Sequence, residues 1–277
     1  SMRTQSTFNS PSLMVFTDLD GSLLEPKTYS FELAKPGLRE LSANNTVPVF
    51  ASSKTCKEIS NLQKITGLFG PLICENGAAI FDNSEIETTL IKVFGEPRAT
   101  WLADLNRLRR ELGADFTGFA DLSLTELINL TGLSAEAAAD SLAREFSEPI
   151  TWKDSREKLD QFKMKLRALN LVALEGGQFI SIQSNFDKGL AMRWWISRLK
   201  KISPTIIALG DSPNDTSMLS AADIAVVIRS AKSESLEIIG PQKIIYTAKE
   251  GPEGWSEGII KATSLINSQS QVKVEGK

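Results

Sequence analysis

Residues 13–22 read LMVFTDLDGS, an apolar run that ends in two aspartates and a glycine. Such a run is typical of a strand buried on both faces of a parallel sheet, and ligands bind at the carboxyl ends of these strands. Because alternate side chains of an extended segment point the same way, Asp18 and Asp20 are predicted to face one site while Leu19 turns to the core. Two carboxylates held that close repel each other unless a cation or a shared proton relieves them. Asp and Gly are also common in turns that follow a strand, so a simple turn is the structural alternative.

Composition narrows the class of protein. The 277 residues are 42% apolar and 23% charged, which is an ordinary globular balance with room for one large domain or two modest ones. The net charge of −3 argues against binding to nucleic acid or to an anionic membrane. No apolar run approaches the length of a membrane-spanning helix. We therefore expect a cytoplasmic protein in which Cys56 and Cys74 are reduced thiols.

The chain contains no histidine, and this restricts its chemistry. Nucleophile systems of the Ser-His-Asp and Cys-His types are excluded in their usual form, and a catalytic zinc site is disfavoured. A bound metal would be a hard cation held by carboxylate and backbone oxygens, which indicates Mg²⁺. Acid–base catalysis would then depend on Asp or Glu.

Apolar strands alternate with helices at both ends of the chain. Strands are predicted at 13–17, 46–51, 72–81, 205–209, 224–228 and 243–246, and helices at 31–44, 57–66, 187–200 and 256–267. Asn76-Gly77 predicts a tight turn within the apolar segment 72–81. Residues 249–255 are predicted to form a loop.

The pattern changes near Asn83. Helices are predicted at 97–112, 124–130, 135–146 and 155–169, and short strands at 149–152, 172–174 and 179–182. The last strand alternates apolar and polar residues, as a half-exposed strand does. We therefore predict an α/β protein in which a second domain at 84–184 is inserted between core segments 11–83 and 185–268.

Polar groups recur at strand ends and helix starts: Asp18 with Asp20, Ser52, Lys188, and Asp211 with Asp215. Each group has a structural alternative. Lys188 is compatible with a solvated lysine, Ser52-Ser53 with a helix cap, and residues 211–215 with an Asx turn. Together, however, they contain every residue type that phosphoryl transfer needs, since a carboxylate nucleophile and a phosphate dianion repel each other unless cations intervene.

Phosphoryl transfer gives each of these residues a role. Asp18 would attack to form an aspartyl phosphate, and Asp20 would protonate the leaving alkoxide and then deprotonate water. Lys188 would act as a point charge, and the Ser52 hydroxyl as a neutral donor. Asp215 would be either a metal ligand or the group that orients Lys188. The predicted Mg²⁺ ligands are Asp18, Asp20, Asp211 and Asp215.

Four motifs resemble those of the haloacid dehalogenase-like phosphatases: DLDGS at 18–22, Ser52, DKG at 187–189, and GDSPND at 210–215. Ser22 stands where the first motif usually has Thr. The long segment between Ser52 and Lys188 is similar to the large α/β cap of the type IIB, Cof-like subclass. This resemblance implies a Rossmann-like parallel core with an inserted α/β cap, and a phosphoric monoester hydrolase that acts on a small phosphorylated substrate.

Shorter segments resemble the mannosyl-3-phosphoglycerate phosphatases: SSKT at 52–55, ENGA at 75–78, TGLS at 131–134, EFSEP at 145–149 and GPEGW at 251–255. This resemblance implies Mg²⁺-dependent hydrolysis of mannosyl-3-phosphoglycerate to mannosylglycerate, a compatible solute, and phosphate. The predicted substrate-binding residues are Ser53, Lys54, Asn76, Gln178 and Asn214.

One segment departs from that family. After Gly176-Gly177 the chain has Gln178 and Ser181, where a basic residue and a histidine are expected. A glycerate carboxylate would then need another partner, and Lys54, Lys165 and Arg167 are the candidates. The substrate therefore stays open between mannosyl-3-phosphoglycerate, glucosyl-3-phosphoglycerate and other sugar or polyol phosphates. A phosphomutase is a further alternative, whereas the long insertion disfavours a phospho-acceptor signalling module.

Overall fold

Two β-sheets organise residues 13–176, 178–199 and 203–275, the part of the chain that the computed structural model describes. In chain order the strands are β1 (Leu13–Thr17), β2 (Val49–Ala51), β3 (Gly70–Cys74), β4 (Ala79–Asn83), β5 (Thr88–Val93), β6 (Phe116–Gly118), β7 (Ser147–Trp152), β8 (Leu171–Gly176), β9 (Phe179–Ser184), β10 (Thr205–Gly210), β11 (Ile224–Arg229) and β12 (Lys243–Glu250). The helices are α1 (Lys35–Ala43), α2 (Cys56–Thr66), α3 (Arg98–Leu112), α4 (Leu124–Thr131), α5 (Ala135–Leu142), α6 (Arg156–Ala168), α7 (Lys188–Ser197), α8 (Thr216–Ser220) and α9 (Gly251–Glu275).

The larger sheet has the order β12-β11-β10-β1-β2-β3-β4-β5. From β12 to β3 every neighbouring pair of strands is parallel. Strand β4 pairs antiparallel with β3, and β5 pairs antiparallel with β4. Strand β1 lies in the middle of the parallel part and all five of its residues are buried, as its apolar sequence predicts. The predicted α/β class with a Rossmann-like parallel core is therefore confirmed.

The smaller sheet has the order β6-β7-β9-β8 and is antiparallel throughout. Helices α3 and α6 cover one of its faces through buried side chains such as Trp101, Leu105 and Phe162. Ile182 of β9 packs into the same cluster, whereas Ser181 faces the opposite way into a cavity. The alternation at 179–182 thus separates a packed face from a face that lines the cavity.

The hairpin between β3 and β4 is the turn predicted at Asn76-Gly77. Cys74 pairs with Ala79, and Glu75, Asn76 and Gly77 all have positive φ, at 47°, 64° and 105°. A Cβ atom at Gly77 would lie 2.1 Å from the backbone oxygen of Asp187. Glycine therefore lets this turn approach the start of α7 closely.

Helix α2 begins at a capping box. The Thr55 hydroxyl accepts a hydrogen bond from the Glu58 amide, and the Glu58 carboxylate accepts one from the Thr55 amide. The alternative interpretation of Ser52-Ser53 as the helix cap is therefore wrong. Ser52 and Ser53 instead belong to the loop that leads from β2 to the helix.

Several predicted boundaries differ from the structure. Strand β5 was not predicted. It is hydrogen-bonded to β4 although it lies beyond residue 84, so we propose that the insertion begins after Val93. Helix α5 ends at Leu142 rather than at 146. The predicted limits at residues 11 and 200, and Gly177, lie outside the described residues.

The predicted loop at 249–255 is wrong. Strand β12 continues to Glu250 and α9 begins at Gly251, with Pro252 in the first turn, where a missing amide is tolerated. Trp255 is fully buried, and its indole N–H donates to Thr17 Oγ1 at 2.8 Å. Burial of this aromatic ring against β1 is a tertiary effect that outweighs the local Gly and Pro residues.

None of the described helices is long and apolar enough to span a membrane. Both cysteines are free, as predicted.

Candidate active site

The predicted functional residues meet at the carboxyl edge of the parallel sheet. Asp18 directly follows β1, and its amide donates to the Leu209 carbonyl of the neighbouring strand β10 at 2.9 Å. Ser52 follows β2, and Asp211 follows β10. The parallel order β10-β1-β2 thus places three strand ends side by side.

Lys188 connects two of the carboxylates. It is the first residue of α7 and has no exposed surface, so the alternative of a solvated lysine is wrong. Its Nζ donates to Asp18 Oδ1 at 3.2 Å and to Asp215 Oδ1 at 2.7 Å. Burial opposes the positive charge, but the two carboxylates outweigh it, so the pKa of Lys188 is raised.

Asp215 is held on both sides. Its Oδ2 accepts hydrogen bonds from the amides of Asp211 and Ser212 at 3.0 and 3.2 Å, while Oδ1 accepts from Lys188. The turn interpretation of 211–215 is therefore compatible with a functional one. Because both oxygens already have donors, the geometry favours the second predicted role of Asp215, the orientation of Lys188.

Burial and mutual repulsion raise the pKa of three carboxylates at this site, although Lys188 lies beside two of them. Burial raises the pKa of Asp18 to about 6, and Asp211 adds to the rise while Lys188 opposes it. Burial also raises the pKa of Asp211 to about 6, with Asp215 adding to it. Asp215 likewise has its pKa raised to about 6, by burial and then by the charge of Asp18. A cation at this place would stabilise all three in the ionised form.

Asp18, Asp211 and Asp215 also fit a metal ion by geometry. Each offers a carboxylate oxygen, and these oxygens lie within 4.8 Å of one another. Gly21 leaves room beside them, because a Cβ atom there would lie 2.6 Å from Asp211 Oδ2. An all-oxygen, all-carboxylate set suits a hard cation such as Mg²⁺.

Asp20 differs from the other predicted ligands. Its carboxylate lies outside that group of three, and its Oδ2 forms an ion pair with Lys54 Nζ at 3.0 Å. Its Oδ1 is buried and has no hydrogen-bond partner among the described residues. Lys54 also lies over the Tyr29 ring, with 5.0 Å from Nζ to the ring centroid.

Hydrogen bonds join the remaining core residues of the site. The Ser52 hydroxyl accepts from the Lys54 amide at 3.1 Å, and the Ser52 carbonyl accepts from the Asn76 amide at 2.9 Å. Asn214 Nδ2 donates to Asn76 Oδ1 at 3.0 Å. The loops after β2, β3 and β10 are therefore connected around Asp18.

A cavity of about 470 Å³ separates these residues from the smaller sheet. Its core wall includes Asp18, Asp20, Ser52, Ser53, Lys54, Asn76, Asp211 and Asn214. Its opposite wall includes Phe119, Arg144, Leu174, Glu175, Gln178, Phe179 and Ser181. Every predicted substrate-binding residue thus lies at the cavity, whereas Lys188 and Asp215 are buried behind the wall.

Of the three basic residues predicted as partners for a substrate carboxylate, only one lies at the cavity. Lys54 lines the cavity, but Lys165 and Arg167 lie exposed on α6 and do not. Arg144 lines it instead, and sequence reasoning missed this residue. The only signal was its position directly before the EFSEP segment, in a region assigned to a helix.

Comparison with known proteins defines the class. A family model described as haloacid dehalogenase-like hydrolase matches residues 15–94 and 137–240. The chain belongs to this family of hydrolases. Its members include phosphatases that act on small phosphorylated substrates and generally use Mg²⁺.

Several solved structures share the fold over almost the whole chain. The phosphatase BT1666 from Bacteroides thetaiotaomicron is 17% identical with a TM-score of 0.66, covering 94% of this chain and 97% of that one. The subclass IIB sugar phosphatase BT4131 is 17% identical with a TM-score of 0.65, covering 92% and 98%. TM0651 from Thermotoga maritima is 20% identical with a TM-score of 0.61, covering 90% and 95%.

Proposed function

We propose that this protein is a Mg²⁺-dependent phosphatase that hydrolyses a small phosphorylated sugar derivative through an aspartyl phosphate. The observation that carries the proposal is the pairing of buried Lys188 with Asp18, whose carboxylate lies at the wall of the cavity. The lysine holds one Asp18 oxygen and balances its charge, so the carboxylate is fixed in place for attack on a phosphoryl group.

In the first step the Asp18 carboxylate attacks phosphorus. An oxygen–phosphorus bond to Asp18 forms as the ester bond to the sugar derivative breaks. Asp20, in its neutral form rather than in the ion pair that it makes here with Lys54, gives its proton to the departing alkoxide. In the second step Asp20, now a carboxylate, takes a proton from the water that attacks the aspartyl phosphate. Phosphate leaves, and both aspartates return to their starting state.

Asp18 and Asp211 would hold Mg²⁺ directly. Asp215 belongs to the same group of three carboxylates but orients Lys188, and Asp20 is the fourth predicted ligand. When bound, the ion would supply positive charge that offsets the repulsion between the phosphate and the Asp18 carboxylate. The Ser52 hydroxyl is available as a neutral donor to the phosphate, because its hydrogen bond within the loop uses the oxygen as an acceptor.

For the substrate, we propose mannosyl-3-phosphoglycerate. The segments 52–55, 75–78 and 145–149, which resemble the phosphatases of that compound, lie at or beside the cavity through Ser53, Asn76 and Pro149. Similarity of fold to a subclass IIB sugar phosphatase supports the wider class of sugar phosphates. Glucosyl-3-phosphoglycerate and other sugar or polyol phosphates are the alternatives within that class.

The test is a screen of phosphorylated metabolites for released phosphate, with mannosyl- and glucosyl-3-phosphoglycerate included. We expect the highest kcat/KM with one of these two compounds, and loss of activity in EDTA that added Mg²⁺ restores. Isomerised sugar phosphate without free phosphate would indicate a phosphomutase instead. Full activity in EDTA would exclude the proposed metal dependence.

A further inference from the structure

Arg144 places a buried guanidinium at the cavity from the side opposite Asp18. It lies in the segment between α5 and β7, and its side chain is only 10% exposed. Nη1 donates to the Ser53 carbonyl at 3.1 Å and to the Ser147 hydroxyl at 3.0 Å. These two contacts fix the side chain between the core and the smaller sheet.

The remaining donors of Arg144 are not used within the described residues. Both of its hydrogen bonds there involve Nη1, and Nε is buried without a partner. Nη2 has no hydrogen bond among the described residues and is not buried in this way, so it is the donor that a ligand in the cavity would use.

One carboxylate among the described residues lies within ion-pair distance of Arg144. The nearest carboxylate is that of Glu75, whose Oε1 lies 3.9 Å from Nη1. Glu75 already accepts hydrogen bonds from the Glu145 and Phe146 amides and from the Ser147 hydroxyl. Its carboxylate therefore mainly holds the backbone at 145–147, and its contact with Arg144 involves Nη1 and not Nη2.

Arg144 is also the one cation among the described residues that line the cavity from the smaller-sheet side. Two further cations in the described part of the chain line the core wall: Lys54, whose ammonium is paired with Asp20, and Lys232, whose charge acts on Asp211. A planar guanidinium suits a carboxylate better than an ammonium does, because its donors form a fork that matches two oxygens.

We propose that Arg144 is a specificity-determining residue that binds a carboxylate carried by the organic part of the substrate. This inference depends on the proposed phosphatase function and adds the requirement for a second anionic group. It selects phosphorylated sugar acids, such as glycosides of 3-phosphoglycerate, over neutral sugar phosphates.

The test compares mannosyl-3-phosphoglycerate with its carboxamide, which has the same shape but no second charge. We expect Arg144→Gln to lower kcat/KM about 10- to 100-fold for the carboxylate, the range for a lost charge-assisted hydrogen bond, and to leave the carboxamide nearly unchanged. Arg144→Lys should give an intermediate loss. Arg167→Gln is the matched control, because it removes an exposed charge outside the cavity and should change neither substrate.

Two outcomes would overturn the inference. Equal losses on both substrates would mean that Arg144 acts on the phosphoryl group or on the frame formed by Ser53 and Ser147. A wild-type enzyme that treats carboxylate and carboxamide alike would exclude a carboxylate subsite while leaving the phosphatase function intact.

A binding measurement does not need turnover. Calorimetry with mannosylglycerate and its carboxamide should show tighter binding of the acid to the wild type, with that preference lost in Arg144→Gln. Equal binding of acid and carboxamide to the wild type would count against the subsite. Absence of phosphate release from every substrate would instead refute the proposed function.

Discussion

Lys188 Nζ lies 3.2 Å from Asp18 Oδ1, although 170 positions separate the two residues in the chain. The contact forms because β1 ends where α7 begins, at the same edge of the parallel sheet. Lys188 also pairs with Asp215, so one fully buried cation serves two acidic side chains. These ion pairs are therefore expected to stabilise the fold as well as to position the side chains of the site.

Lys188→Met should therefore lower both stability and activity. Removing one partner of a buried ion pair leaves uncompensated carboxylates, which costs about 3–5 kcal/mol of unfolding free energy. Denaturant unfolding near neutral pH is the measurement. Lys261→Met, which breaks the exposed pair with Glu257, is the control and should cost at most about 1 kcal/mol. Similar small losses in both variants would contradict a buried ion pair.

Asp18→Asn should remove turnover and keep the fold. The amide has nearly the same shape but cannot act as a nucleophile, so kcat should fall by several orders of magnitude. Phosphate release measures the loss, and far-UV circular dichroism verifies the fold. A variant that still releases phosphate at a comparable rate would refute the assignment of the nucleophile.

Metal-free protein should become less stable as the pH rises. The pKa values of Asp18, Asp211 and Asp215 are raised to about 6 from an ordinary 3.8, so the folded state binds more protons than the unfolded state between these values. This contribution to stability is fully present below the unfolded-state pKa and is lost as the pH rises through about 6. Melting curves in EDTA at about pH 5 and about pH 7.5 measure the difference.

The same titration predicts how Mg²⁺ acts on stability. The ion binds ionised carboxylates, so it should raise the melting temperature more at about pH 7.5 than at about pH 5. Asp211→Asn removes one ionisable ligand and should reduce this gain. A gain that is independent of pH, or unchanged in that variant, would place the ion elsewhere.

Gly21→Ala should disturb the acidic cluster specifically. Gly21 has a φ of 79°, and a Cβ atom there would lie 2.6 Å from Asp211 Oδ2, so the carboxylate must move and Mg²⁺ affinity should fall. Gly67→Ala is the matched control, since Gly67 has a φ of 75° with open space around it. Both variants should lose about 1–2 kcal/mol from backbone strain. Equal Mg²⁺ affinities in the two would refute the role of Gly21.

The parallel core and the strand ends of the site could be predicted from the sequence. Apolar runs such as β1 and β10 are local patterns, and a polar residue that follows such a run lies at the carboxyl edge whatever the rest of the chain does. For that reason the sequence by itself predicts that Asp18, Ser52 and Asp211 lie at one edge of the sheet.

Only the tertiary structure decided which side chains meet across that edge and where the elements end. Arg144 reaches the cavity because the segment after α5 is held by Glu75, while Lys165 and Arg167, equally basic in sequence, lie on the outer side of α6. Trp255 lies in the helix that begins at Gly251, where a loop is predicted, because its ring is buried beside Thr17. Burial and pairing between distant segments determine these features, and no local pattern encodes them.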